Sequence, residues 1–123
     1  MKKHRWLIGL ALLLISIGLA GCGSDKSDHH QSSTKTIKGT TLNVTATNFQ
    51  FDSKTYKVPA NKELTIHFES KEGNHGMSIE GTKVDIKGKG MAKVKLKPGT
   101  YMVHCSVFCG SGHADMMSKI IAE

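Results

Sequence analysis

From Thr40 onward, the sequence is dominated by short runs in which apolar and polar residues alternate with a period of two. In the run TLNVTATNFQF, Leu42, Val44 and Ala46 alternate with polar residues, and the run ELTIHFE repeats the pattern. Because successive side chains of a β-strand point to opposite faces, this alternation predicts strands with one buried face. Further runs of this kind are TKVDI, MAKVKLK, GTYMVHC and SKIIAE.

Turn-forming segments separate these runs. The connecting stretches NK, KEGNHG, KGKG and KPG are rich in Gly, Asn, Pro and Lys, which is the composition of turns and loops. No stretch after residue 21 keeps a helical period over ten residues. About six to eight short strands in residues 40–123 predict an all-β fold class, as a small antiparallel sandwich or barrel.

The first 21 residues have the layout of a secretory signal. A basic start, MKKHR, is followed by an apolar stretch over residues 6–20, which predicts a signal helix over this segment. The segment ends in LAGC, which resembles the lipobox of bacterial lipoproteins, and the resemblance implies cleavage before Cys22 and attachment of lipid to Cys22. The alternative is an uncleaved membrane helix, but the apolar run is at or below the roughly 17 to 25 residues that a span needs. Both interpretations place the rest of the chain outside the cytoplasm at the cell membrane.

Residues 22–39 differ in composition from residues 40–123. They are mainly Ser, Asp, Lys and His, with Ile37 as the single large apolar residue. Such a segment buries too little apolar surface to fold alone. We therefore expect a flexible tether over 22–39 and one folded domain over 40–123.

The charge of the chain argues against nucleic-acid binding. Formal net charge is +7, and three of the 17 basic residues precede residue 22 while all ten acidic residues follow it, so 14 minus 10 leaves +4 after cleavage. This is a mildly basic surface without an aromatic stacking platform. Six lysines cluster between residues 83 and 97: Lys83, Lys87, Lys89, Lys93, Lys95 and Lys97. We interpret these lysines as protection of an exposed edge strand against pairing with other strands. The alternative interpretation is a docking patch for an acidic redox protein or for anionic lipid.

The stretch CSVFCGSGHADM brings together donors that bind metals. It contains Cys105, Cys109, His113 and Met116. If Cys22 carries lipid, the remaining two cysteines lie in an oxidising compartment, where they are expected to form a disulfide or to hold a metal. Thiolate, thioether and imidazole suit copper first and zinc second.

A binuclear site built on two thiolates needs a second histidine from elsewhere. His67 lies on the polar face of its strand, and His104 alternates with Cys105 and therefore points to the opposite face. His75 lies in the Gly-flanked loop EGNHGMSIEG. Since a loop can approach the cysteine loop at one end of a sandwich, His75 is the preferred residue.

At these residues the sequence resembles a known family. The motif C-x3-C-G-x2-H-x2-M, together with HGMSIEGTKVDI, resembles the CuA domain of cytochrome c oxidase subunit II, and in particular the short subunits of B-family haem-copper oxidases. The resemblance covers residues 42–122 and implies a cupredoxin fold, a Greek-key β-sandwich with two copper ions. It implies Cys105 and Cys109 as bridging thiolates and His75 and His113 as terminal ligands.

The resemblance also implies the weaker donors and the role. Met116 is the implied axial ligand of one copper, with Met117 as a rival, and the backbone carbonyl of Val107 is that of the other. The implied function is single-electron transfer, with a haem-copper oxidase catalytic subunit or a cytochrome c as partner. No catalytic site of the chain's own is apparent in the sequence. The resemblance implies an electron-entry subunit II of an oxidase or a separate lipoprotein. The alternatives are a lipoprotein that buffers or delivers Cu(I), and a disulfide-bonded protein without metal.

Overall fold

Every alternating run of the sequence contains or overlaps a strand in the computed structural model, which describes residues 33–123. The strands are β1 (Thr34–Thr36), β2 (Thr41–Thr47), β3 (Gln50–Phe51), β4 (Thr55–Val58), β5 (Glu63–Ser70), β6 (Gly76–Ile79), β7 (Asp85–Lys87), β8 (Lys89–Lys95), β9 (Gly99–His104) and β10 (Met117–Ala122). One 3-10 turn, His113–Asp115, precedes β10. The all-β fold class is confirmed, while the predicted signal helix and Cys22 lie outside the described residues.

The strands form two sheets. One sheet has the order β1-β4-β10-β9-β6-β7 and the other the order β3-β2-β5-β8. Alternate residues of β2 and β5 are buried, as their sequence pattern predicts. The largest fully buried apolar side chains are Leu42, Val44, Tyr56, Leu64, Ile66, Phe68, Met77, Ile79, Val103, Met116 and Ile120. Their burial supplies the main stabilising free energy of a domain of this size.

The strand pairing is mixed, so the expectation that the sandwich or barrel is antiparallel is wrong for three strand pairs. Strand β2 pairs in parallel with β5, and β4 pairs in parallel with both β1 and β10. Between β2 and β5 the chain crosses to the other sheet to form β4. Two strands of one sheet that are separated by a return strand in the other sheet run in the same direction, and hydrophobic alternation carries no information about that crossing.

Three strands were absent from the runs recognised in the sequence. Strand β4 lacks alternation because Thr55, Tyr56 and Val58 are all buried, and β6 lies within the segment read as a loop. Strand β1 lies inside the segment 22–39 that composition predicts as a tether, and Ile37 packs against the core. Its pairing with β4 depends on backbone hydrogen bonds, which composition does not reveal. No helix within residues 33–123 is long and apolar enough to cross a bilayer.

Three of the six clustered lysines lie at the edge of the smaller sheet. Strand β8 is its outermost strand, and Lys89, Lys93 and Lys95 all project to solvent from it. Lys89 and Lys93 pair with acidic residues of β5, each at 3.2 Å. Charged side chains on an outermost strand discourage further strands from pairing with it.

Candidate metal centre

The cysteine loop joins two neighbouring antiparallel strands. Cys105 directly follows β9, and Met116 directly precedes β10. The backbone amide of Cys105 donates a hydrogen bond to the carbonyl oxygen of Met116, 3.2 Å away, which closes the base of the loop. His113 opens the 3-10 turn within the loop. The loop therefore starts and ends on paired strands, which limits its freedom.

The loop brings two thiols and an imidazole together. The Sγ atoms of Cys105 and Cys109 lie 3.6 Å apart, and the Sγ of Cys109 lies 3.5 Å from Nδ1 of His113. The thiol of Cys105 donates a hydrogen bond of 3.1 Å to the carbonyl oxygen of Val107. The two thiols are unbonded, since their separation far exceeds the roughly 2.05 Å of a disulfide.

A separate loop supplies the second imidazole. Nδ1 of His75 lies 3.9 Å from Sγ of Cys105, although the two residues are 30 positions apart. Only 1% of His75 is exposed, and its Nε2 has no hydrogen-bond partner among the described residues. The ring thus directs Nδ1 at the thiols while the chain encloses its other edge.

The His75 loop is held by Ser70, at the end of β5. The Ser70 hydroxyl accepts a hydrogen bond from the backbone amide of His75 and donates one to the carbonyl oxygen of Gly73. The carbonyl of His75 accepts a further bond from the amide of Gly88, at 2.9 Å. Gly73 has a φ of 79°, and a Cβ there would come within 2.8 Å of Nε2 of His75. Glycine at position 73 is therefore required both by the turn and by the imidazole.

The donor spacing fits a metal ion. The ligand atoms of His75, Cys105 and Cys109 all lie within 4.8 Å of one another. Neighbouring ligands on a tetrahedral ion with bonds of about 2.0–2.3 Å lie about 3.3–3.8 Å apart. The observed thiol and imidazole separations cluster around this range. Thiolate with imidazole is also a donor set that suits copper first and zinc second.

The two methionines next to the loop have different environments. Met116 is fully buried and Met117 is 40% exposed. Because the backbone of Met116 is hydrogen-bonded to that of Cys105, Met116 lies at the base of the cysteine loop. Burial beside Cys105 favours Met116 over Met117 as the weak donor, and this role stays a prediction.

The Cys109 thiol keeps its proton in the absence of metal. Burial raises the pKa of Cys109 above its usual range, and the neighbouring Cys105 thiol raises it further through a hydrogen bond and through charge. A cation that binds here must therefore displace protons, which makes its affinity depend on pH.

The two remaining histidines of residues 33–123, His67 and His104, are not part of the donor cluster. His67 is exposed on β5, as its place on the polar face predicts. Nε2 of His104 lies 3.8 Å from a carboxylate oxygen of Glu80. The structure thus brings His75, Val107 and Cys109 to Cys105, and His113 to Cys109, and leaves the two rejected histidines outside.

Two features of the site escaped sequence analysis. Phe49 contacts the His75 ring edge-on, with centroids 6.2 Å apart, and no sequence signal points to it. Ser106 has a buried hydroxyl without a partner among residues 33–123. Phe108 is 81% exposed and lies beside the His113 ring, with centroids 5.5 Å apart.

Comparisons with known proteins identify the domain. The chain is 28% identical over 89 residues to cytochrome c oxidase subunit 2 of Thermus thermophilus, in a match covering 68% of this chain. A chain from the cryo-EM structure of a heme-copper terminal oxidase dimer is 30% identical, with a TM-score of 0.61, and the match covers 77% of this chain and 67% of that one. The chain is a homologue of cytochrome c oxidase subunit II.

The fold of the subunit II homologue is that of cupredoxins. The periplasmic domain of subunit II of cytochrome oxidase from Bradyrhizobium japonicum matches it with a TM-score of 0.59 at 18% identity, over 68% of this chain and 83% of that one. No protein-family model matches the sequence. The chain spans 65% of the length of the Thermus subunit, just under two thirds. The homology and the fold together support a copper electron-transfer role.

Proposed function

We propose that this domain holds a binuclear CuA centre and relays single electrons as a subunit II-like protein. The observation that carries the proposal is the convergence of two thiols and two imidazoles from separate loops, with neighbouring donor atoms 3.5–3.9 Å apart. Cys105 and Cys109 are the bridging thiolates, and His75 and His113 are the terminal ligands. Met116 and the carbonyl of Val107 would be the weaker, axial donors.

The residues of the chain prepare the site before metal arrives. The paired ends of β9 and β10 fix the cysteine loop, and Ser70 fixes the loop that carries His75. Copper held by these residues would supply single-electron transfer. A scaffold that already holds the donors leaves little to rearrange, and partial burial keeps water away from the thiols.

Copper content and spectra of the full-length protein test this proposal. The protein, purified in detergent under reducing conditions and loaded with copper, is expected to bind two copper ions per chain. It should be purple and should give a seven-line electron paramagnetic resonance signal. A single colourless Cu(I) that a chelator removes readily would instead indicate copper buffering or delivery, and absence of both metal and free thiols would indicate a disulfide.

Two serine variants make the test specific. Cys109→Ser removes one proposed bridge and should abolish both the colour and the second copper. Cys22→Ser is the matched control, because it removes a cysteine that is not one of the proposed ligands, and it should leave both unchanged. Unaltered copper content in Cys109→Ser would refute the proposed centre.

The proposed role includes a membrane anchor and a redox partner. A lipid on Cys22 places the domain at the outer side of the cell membrane, and the heme-copper oxidase relative supports an oxidase catalytic subunit as partner, with a cytochrome c as an alternative. Metabolic labelling with palmitate should mark the wild-type chain and not Cys22→Ser. Co-purification of the wild-type chain with a haem-containing oxidase from membranes tests the partner.

A further inference from the structure

Phe49 has an unusual backbone conformation. It lies in the short turn between β2 and β3 and has a φ of 55°. Side chains with a Cβ rarely adopt positive φ, and Asn and Gly are the residues that usually do so. If the turn were the only requirement, Asn or Gly would suit this position better than Phe. An aromatic side chain at this position needs a contact that compensates for the backbone conformation.

The contacts of the Phe49 ring lie on both loops that carry the candidate ligands. The ring meets the His75 imidazole in a T-shaped arrangement, with an interplanar angle of 79°. On its other side it packs on the backbone of the cysteine loop. A Cβ built on Gly110 would come within 3.1 Å of the ring, and one built on Gly112 would overlap it.

The glycine at position 112 is explained by this ring. Gly112 has a φ of −89°, which any residue adopts, so its backbone does not require glycine. A Cβ there would lie 2.6 Å from the Cβ of Phe49. The absence of a side chain at 112 is thus a matter of space for Phe49.

We propose that Phe49 is a positioning residue for the metal centre. Its ring is wedged between His75 and the glycines of the cysteine loop, where it holds the two ligand-bearing loops in register and closes this side of the site to solvent. With 36% of the residue exposed, the ring separates solvent from His75, which is buried. The proposal rests on the proposed copper function for its main readout.

The test is a double-mutant cycle on the full-length protein. Phe49→Gly removes the ring and also suits the positive φ, while Gly112→Ala introduces a methyl group that displaces the ring. Each single variant should transfer Cu(I) from the reduced protein to a chelator about 10- to 100-fold faster, the range expected when a group that supports a metal ligand is lost. The double variant should release copper no faster than Phe49→Gly alone, because the methyl group then has no ring to displace.

Two controls separate positioning from general stability. Asn61→Gly changes another residue with positive φ, 59°, at the opposite end of the sandwich, and should leave the release rate unchanged. Phe49→Tyr keeps the ring and should release copper as slowly as the wild type. Unchanged release in both Phe49→Gly and Gly112→Ala, or strictly additive effects in the double variant, would overturn the proposal.

A metal-free readout distinguishes this proposal from the proposed function. In the metal-free protein, the amides of His75 and His113 are hydrogen-bonded, and hydrogen exchange at both should accelerate in Phe49→Gly. If the wild type takes up no copper, the proposed function fails. The exchange experiment still tests whether Phe49 positions the two loops. Unchanged exchange at both amides would refute it.

Discussion

Substitution of Gly76 by alanine should disturb the contact between the two ligand-bearing loops. Gly76 directly follows His75, is buried and begins β6. A Cβ at this position would overlap the hydroxyl oxygen of Ser106 and lie 3.1 Å from both the carbonyl oxygen of Ile86 and Cγ2 of Val107. Ser106 and Val107 belong to the cysteine loop, so the added methyl group pushes the two loops apart.

The expected cost follows from these contacts. Insertion of a methyl group into a packed interior costs about 1–3 kcal/mol, and the φ of Gly76 is not positive, so alanine recovers about 0.4–1 kcal/mol from the unfolded chain. The net loss is about 1–2 kcal/mol, which corresponds to a fall of about 5–15 °C in Tm for a domain of this length. The Ile86 carbonyl is backbone and cannot move aside easily, so the loss cannot relax to zero.

The assay is thermal unfolding of a second double-mutant cycle, which combines Gly76→Ala with Ser106→Ala. Ser106→Ala removes a buried hydroxyl without a partner and should be neutral or raise the Tm. In the Gly76→Ala background the same change should restore part of the lost stability, with a coupling of at least about 0.5 kcal/mol. Recovery should stay incomplete, since the contacts with Ile86 and Val107 remain. Full stability of Gly76→Ala, or additive effects of the two changes, would refute this reasoning.

Three further outcomes are expected. Met116→Leu should cost less than about 1.5 kcal/mol in stability yet shift the reduction potential of the copper-loaded protein. Met117→Leu should change neither the stability nor the reduction potential. The opposite pattern of reduction potentials, measured by redox titration, would assign the axial role to Met117. Ser70→Ala should lower copper affinity about tenfold by loosening the His75 loop, and equal affinities in competition with a chelator would contradict this. Burial raises the pKa of Tyr56 well above its ordinary value, so the contribution of Tyr56 to stability is fully present well below about pH 10, the pKa of an unfolded tyrosine, and is lost as the pH rises through that value. Tyr56→Phe should weaken this alkaline loss in unfolding measured from about pH 9 to pH 11, and an identical decline would count against it.

Local pattern explains which elements could be predicted. Strands β2, β5 and β10 each have one buried and one more exposed face, and a period of two in the sequence is sufficient to find them. Strand β4 lies between β1 and β10 with Thr55 and Tyr56 both buried, which removes the alternation on which the prediction depends. Sheet partners and their directions depend on chain crossings between the sheets, which no single segment encodes.

Some residues of the candidate site could be predicted from local sequence, and others could not. Cys105, Cys109 and His113 lie within nine residues of one another, so their proximity is a property of one loop and was visible as a motif. The choice of His75 depended on excluding strand residues by alternation and on a family resemblance, and the structure places its Nδ1 3.9 Å from Cys105. Phe49 reaches the site only because β2 ends at the same edge of the sandwich as the two loops.

By itself, the sequence determined a β-rich domain with a soft donor loop, because alternation and donor spacing are short-range properties that a chain displays before it folds. The tertiary structure alone decided which strands run in parallel, which glycines are required for space, and that a turn phenylalanine closes one side of the site. These are contacts between residues distant along the chain, and their energies exist only after the two sheets have packed together.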